Sequence, residues 1–434
     1  MKNEALQMAK GVRDFGPAEK IARDKILDTF KIVFESFGYN PIETPVIERQ
    51  ELFASKFGIG QESEAMNETF KLNDQGGRDL VLRTEFTVPF ARYVGMNPQL
   101  RLPFKRYQMG TVFRDGPIKL GRYREFWQCD VDVVGVSNPL IDAEIIELAN
   151  EVFQRLGLAV EIRINNRKIL NAIMDYAGVP EENQISVIIS IDKLDKIGIA
   201  GVREELLAKE MSEEMINKVL SAISIKGTNN ELIEKLRDMI GDNGGISEVD
   251  DAIKNTISSG NIVFSPSLAR GLAYYTGNVF EVYLKDRSRL SSAICAGGRF
   301  DEMIGGFIGG GESFPAVGIS FGLEAIFDAL RLQNAEFESQ RSVVEVYVIP
   351  IGNVPIKTAF EYCKKLREAN IFADLDVLSR KTGKNLEYAS SYGIPWAILL
   401  GEDELKENKL TLRDMLSGEQ EKLSFDEVVA KLKK

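Results

Sequence analysis

Residues 17–37, PAEKIARDKILDTFKIVFESF, repeat apolar side chains at helical spacing: Ile26, Phe30, Val33, Phe34 and Phe37 fall near one face, with Leu27 at its edge. Pro17 suits the first turn of that helix, where its missing N–H is not needed. The periodicity breaks at GYNPIETPVIE, whose prolines and β-branched residues predict an extended edge segment. From Thr69 to Gly135 short strands are expected: ETFKLND, a Gly-Gly turn, DLVLRTE, and two apolar runs flanking an Arg- and Lys-rich loop. With no long helix expected between successive strands, the sheet is predicted to be antiparallel.

After the strand VEIRINN the period becomes helical, in NRKILNAIMDYAG, SEEMINKVLSAIS and NELIEKLRDMIG, so residues 167–261 read as a helical insertion. Strand-like NIVFSP and NVFEVYL and a Gly-rich stretch from Gly297 to Gly322 then resume the first region, which ends in the helix FGLEAIFDALRLQ. The polar run NAEFESQRS is the expected linker. From Val343 onward strand VEVYVIPI, helix VPIKTAFEYCKKLREAN, strand IFADLDVL, helix TGKNLEYASSYG, strand WAILLG and a final amphipathic helix alternate. That order predicts a small α/β domain with a mainly parallel sheet, and the whole reads as α+β.

At 434 residues the chain exceeds what one core organises, so two or three domains are expected. No apolar run reaches the roughly 20 residues of a membrane span, and MKNEALQMAKGVRDF lacks a signal peptide's apolar stretch, so a cytoplasmic protein is expected. Cys129, Cys295 and Cys363 are an odd count without CxxC spacing, which argues against both a disulfide framework and a zinc site. The sequence contains no histidine, which excludes Ser-His-Asp, Cys-His and HExxH chemistry. Any rate limb between about pH 6 and 7 is therefore expected to report the substrate rather than a protein histidine.

Against a net charge of −11, Arg101, Lys105, Arg106, Arg114, Lys119, Arg122 and Arg124 crowd into one segment, and local charge of this kind points to a polyanion. Arg114, at the end of a strand, suits bidentate stabilisation of a phosphoryl centre; for Arg114, Arg122 and Arg124 surface ion pairs with Asp115 and Glu125 are the ordinary alternative. Gln128, Asp130 and Asp132 share one strand face by their period of two.

The segment RYQMGTVFRDGPIKLGRYREFWQCDVDVVG resembles motif 2 of class II aminoacyl-tRNA synthetases, and nearly the whole chain resembles the histidyl-tRNA synthetase family. GYNPIETPVIE is similar to motif 1, with Pro45 its proline and a homodimer interface implied, and PAVGISFGLEAI to motif 3. LARGLAYYTGNVFEVY and AGGRFDEMI resemble stretches confined to the histidine-specific group. SRKTGKNLEYASSYGIPWAILLGEDEL resembles the shared anticodon-binding domain, where Arg380, Lys381 and Lys384 are candidate phosphate contacts.

The resemblance implies a class II antiparallel sheet flanked by helices: 1–166 and 262–334 as the catalytic domain, 167–261 as the insertion, 335–342 as the linker and 343–434 as the anticodon-binding domain. It implies Arg114 and Arg270 on the α-phosphate, and Glu85, Thr87, Gln128, Asp132, Tyr274 and Tyr275 around histidine. It also implies Lys119, Arg122, Arg124 and Glu324 for ATP and tRNA, with ATP as substrate, Mg2+ bridging its outer phosphates and no membrane partner. Three places depart from the family pattern: Ala325 stands for the motif 3 Arg, Ala273 for an Asp, and Asp115-Gly116 where motif 2 has a carboxylate directly positioned. Ala273 suggests an archaeal-like variant. The expected function is histidine activation and transfer to tRNA; the alternative is a non-catalytic, histidine-binding paralogue resembling the regulatory subunit of ATP phosphoribosyltransferase.

Overall fold

A computed structural model describes residues 6–56, 68–119, 121–270, 274–308, 313–334 and 337–433. Ala273, part of the IGGFIGGGES loop and the first residues of the expected linker lie outside them. The chain divides into two compact units, Met1–Arg13 with Ile26–Leu332, and Asp14–Lys25 with Gln333–Lys434. Residues 167–261 lie within the first unit.

In the first unit the strands are β1 (Asn40–Pro41), β2 (Ile47–Arg49), β3 (Lys71–Asn73), β4 (Asp79–Leu82), β5 (Phe104–Phe113), β6 (Glu125–Val134), β7 (Val160–Asn166), β8 (Ile262–Phe264), β9 (Asn278–Leu284), β10 (Cys295–Arg299) and β11 (Ala316–Gly322). Eight of them form one sheet in the order β1-β5-β6-β11-β10-β9-β7-β8, and β2-β4-β3 form a second. The large sheet is antiparallel except at its two edges, where β1 pairs with β5 and β8 with β7 in parallel. Asn40-Pro41 sits at the edge, where a proline removes no bond the sheet needs.

One face of this sheet is apolar. Cys129, Val131 and Val133 of β6 and Phe321 of β11 point to it, and Phe30 and Phe34 of the helix Pro17–Ser36 pack on Phe321 at ring distances of 5.3 and 5.6 Å. Phe153, from the helix Leu140–Arg155, reaches the same ring at 5.7 Å. The predicted helical face of residues 17–37 is thus the one buried, apart from Phe37, which is only half-buried.

Two expectations fail here for local reasons. The stretch read as uninterrupted strands contains a helix, Thr87–Met96, between β4 and β5. DLVLRTE stops being a strand at Leu82, because Glu85 turns back to accept the N–H groups of Thr87 (2.9 Å) and Val88 (2.8 Å) at the new helix start. Pro89 falls in that first turn, whose N–H groups have no helical partner, so it does not break the helix. The helix Leu140–Arg155 was likewise unforeseen.

Residues 167–255 are helical as expected, each segment with its own stop and start signals. Asn166 caps the helix Arg167–Ala177 through Lys168 N–H, Gly178 ends it at φ 77°, and Thr228 with Glu231 forms a capping box.

The second unit orders its strands β13-β12-β14-β15-β16, where β12 is Val346–Pro350, β13 Ala373–Leu375, β14 Trp396–Leu400, β15 Leu410–Asp414 and β16 Gln420–Leu423. The first three are parallel; β15 and β16 form an antiparallel hairpin that the expected mainly parallel sheet did not include. Its turn is shaped by Asp414, which accepts from Leu416 and Ser417 N–H, and by Gly418 at φ 80°. QEKL is nearly all solvent-facing and shows no alternation to read.

Candidate functional site

The sheet's other face is polar, and the strand register decides which side chains meet on it. Gln128, Asp130 and Asp132 of β6 stand opposite Gly110, Gln108 and Arg106 of β5, and opposite Gly322, Ser320 and Gly318 of β11. Cross-strand partners share a face, so this row forms a furrow of acids, amides and glycines. Gly318 is required: a Cβ there would stand 1.9 Å from Oδ1 of Asp132, which lies flat across β11. Gly298 serves Tyr275 in the same way, since a Cβ would come within 2.8 Å of its ring.

Arg106 has no exposed surface; its guanidinium forms an ion pair with Asp132 and lies 4.3 Å from the Phe90 ring centre. The sequence grouped Arg106 with a basic polyanion site, whereas the fold turns it inward. Lys105 is similarly committed, to Glu144 at 2.6 Å. Asp132, expected against imidazole, is already partnered by Arg106, the ordinary ion-pair role. Burial pushes Asp132 up to about 6, with Arg106 opposing and Glu85 adding to the rise. Burial pushes Asp130 up to about 7, opposed by Arg106 and raised further by Asp132. Two carboxyls therefore titrate in the window that the lack of histidine had reserved for substrate.

Arg114 follows β5 directly, donates from Nε to Thr84 O at 3.1 Å and lies 5.2 Å from the Phe126 ring centre. Burial weakens its hold on the proton, while Glu85, Glu68 and Tyr274 oppose that effect. Tyr274 and Tyr275 pack with ring centres 4.6 Å apart, and burial raises both hydroxyls. Arg270 lies 5.2 Å from the Tyr275 ring centre and 4.0 Å from Glu281. Burial works against its charge, but Tyr275, Glu281, Tyr274 and Asp192 more than offset this. Its Nη1 is buried and has no hydrogen-bond partner among the described residues. Electrostatic coupling joins Glu85 to Arg114, to Tyr274 and to Tyr275, and both tyrosines to Arg270, so these five of the sequence-predicted residues lie in one neighbourhood.

Gln128 donates from Nε2 to Ser320 Oγ at 2.9 Å, and its Oε1 is buried without a partner among the described residues. Glu85 and Thr87 meet at the helix start already described. Glu324 is buried and accepts Trp127 N–H at 2.9 Å, fastening the helix Leu323–Gln333 to β6. Lys119 and Arg122 bridge each other through their backbones at the exposed hairpin tip. Arg124 is held by Asp115 at 2.9 Å, the surface ion pair considered as its alternative role. Ala325, at the motif 3 Arg position, lies beneath that tip: a Cβ on Gly121 would be 3.8 Å from it. Sequence reasoning missed Arg83, Gln108 and Ser320, whose only signal is cross-strand register or a loop contact.

No group of three or more His, Cys, Asp or Glu able to hold a metal stands among the described residues. No helix among them is long and apolar enough to cross a membrane.

The profile of histidyl-tRNA synthetases matches residues 11–326, and that of the anticodon-binding domain residues 345–434. The chain is 41% identical to histidine–tRNA ligase 1 of Bacillus cereus, over 96% of this chain and 97% of that one. It is 36% identical to the histidine–tRNA ligase of Clostridium tetani, over 98% and 97%. It superposes on the crystal structure of histidyl-tRNA synthetase from a Nostoc species with a TM-score of 0.84 at 31% identity, covering 99% of each chain. These relatives are bacterial, which corrects the archaeal-like variant suggested by Ala273. With both profiles in chain order and full-length relatives on either side of the comparison, this chain belongs to the histidyl-tRNA synthetase family.

Proposed function

We propose that this chain joins histidine to ATP between Arg114 and Arg270, then passes the histidyl group to the 3′ end of its tRNA. The observation that carries the assignment is Arg270 Nη1, a buried donor without a partner among the described residues, in the same neighbourhood as Arg114. Guanidiniums fixed in advance stabilise charge developing on phosphorus without reorganisation. The histidine carboxylate attacks the α-phosphorus and pyrophosphate leaves; the tRNA ribose hydroxyl then attacks the carbonyl and AMP leaves. Neither step needs a covalent bond to the protein.

Glu85, Thr87 and the free acceptor of Gln128 suit the substrate ammonium. Asp132, with Tyr274 and Tyr275, is assigned to the imidazole end. Lys119 and Arg122, exposed at the hairpin tip, suit ATP's outer phosphates and the tRNA acceptor end; Arg124 and Glu324 hold that hairpin in place. Magnesium finds no ready cage among the described residues, and no step is assigned to it. The exposed Val46 and Ile47 beside Pro45 support a homodimer through motif 1, and the cytoplasm is its proposed compartment.

Histidine-dependent ATP–pyrophosphate exchange tests this reading. Arg270→Ala should abolish exchange while leaving histidine binding largely intact, and undiminished exchange refutes its role. Ala325 alone favours the non-catalytic, histidine-binding alternative; binding without exchange in the unaltered protein would establish it.

A further inference from the structure

Oε1 of Gln128 and Oδ1 of Asp130 are buried acceptors without a hydrogen-bond partner among the described residues, two residues apart on one strand and on one face of the furrow. Asp130 is 4% exposed, flanked across the strands by Gln108 and Ser320. The Gln108 amide is turned to Thr44, donating to its hydroxyl at 3.0 Å and accepting from it at 3.1 Å, and Asp130 Oδ1 takes no hydrogen bond from it. A buried acceptor without a donor is costly unless a ligand or water completes it.

The charges around Asp130 come from every neighbouring element. Arg106 on β5 and Arg83 before the helix Thr87–Met96 are positive; Asp132 on β6 and Glu85 are negative; the Cys295 thiol on β10 also lies within its field. Arg83 additionally feels Glu43 and Glu48. Asp130 thus has Arg106 and Arg83 as positive and Asp132 and Glu85 as negative neighbours, so its ionised form gains from a further positive group close by.

We propose that Asp130 is a ligand-binding residue of the histidine pocket: it accepts an N–H of the substrate and releases its own proton to solvent as the substrate enters with its positively charged ammonium group. This rests on the histidine-activating reading above. The O–H bond of the carboxylic acid breaks, the proton leaves to buffer, and the carboxylate takes up the substrate hydrogen bond; nothing is oxidised or reduced. Ser320, which bonds to Asp130, favours the ionised form.

Calorimetric titration with L-histidine in two buffers of different ionisation enthalpy counts the protons released. Comparing the protein with Asp130→Asn removes the contribution of the substrate imidazole, which both share. The difference is expected to be roughly half a proton near pH 7, larger at pH 6 and close to zero at pH 8. Equal proton counts across that range, with histidine bound by both, overturn the inference and leave the function standing; failure of the unaltered protein to bind histidine overturns both. Should Asp130→Asn not fold, Ser320→Ala serves instead: losing the hydroxyl should move the proton-release profile to higher pH, and an unmoved profile overturns the proposal.

Discussion

Arg106 is the counter-ion of a buried acidic furrow, and its removal should be felt in stability before activity. Arg106→Met leaves Asp132 without its partner, a change expected to destabilise by about 3–5 kcal/mol; urea unfolding at pH 7 measures it, and a loss below about 1 kcal/mol would refute the pairing. The raised carboxyls also set a direction with pH. The folded chain keeps protons on Asp132 and Asp130 up to about 6 and 7, whereas unfolded carboxyls release them near pH 4. Their contribution is therefore full below about pH 4 and is lost as pH rises through about 6 and 7. The urea midpoint of Asp130→Asn should fall less over that interval than that of the unaltered protein; parallel curves would show that Asp130 titrates normally. At Gly318, Ala is expected to cost about 1–3 kcal/mol, because the new methyl must displace Asp132 or the β11 backbone.

Among the elements, the helix Thr87–Met96 links stability to substrate binding, because one carboxylate serves both. Glu85 satisfies two N–H groups at the helix start and is also the proposed ammonium acceptor. Glu85→Ala should cost about 0.5–2 kcal/mol, speed hydrogen exchange at the helix start, and weaken histidine binding. Unchanged exchange at Thr87 and Val88 would disprove the cap. The helix was invisible to a strand-by-strand scan because its cap is a Glu two residues upstream rather than the usual Ser, Thr, Asp or Asn, and because Pro89 reads as a breaker. The β15–β16 hairpin escaped notice for a different reason: β16 is solvent-facing, so its residues carry no alternation. By contrast, the helix Pro17–Ser36 and the helices of 167–255 were legible, since each buries one continuous apolar stripe.

For the whole molecule, the two compact units suggest separable tests of chemistry and tRNA binding. Lys381 is exposed, Lys384 is paired with Glu387 at 2.6 Å, and Arg380 lies 4.6 Å from the Tyr388 ring centre. Replacing all three by Ala should reduce the salt dependence of tRNA binding, by up to about 2 in the log–log slope for three lost phosphate contacts. Histidine-dependent ATP–pyrophosphate exchange should be unchanged. An unaltered slope would remove these residues from the tRNA-binding surface.

The sequence by itself determined the α+β class, the helix Pro17–Ser36, the helical run after Asn166 and the family, because periodicity and motif spacing are properties of a linear chain. It also offered Arg114, Arg270, Glu85 and Tyr275 as candidates, and these four the tertiary structure brings into one neighbourhood. Only the tertiary structure revealed that Arg106 faces Asp132 rather than solvent, that Oδ1 of Asp130 is buried without a partner among the described residues, and that Gly318 makes room for Asp132. Those facts depend on which residues of different strands stand opposite one another and on how deeply they are buried. Register and desolvation arise from packing between segments far apart in the chain, and no local spacing encodes them.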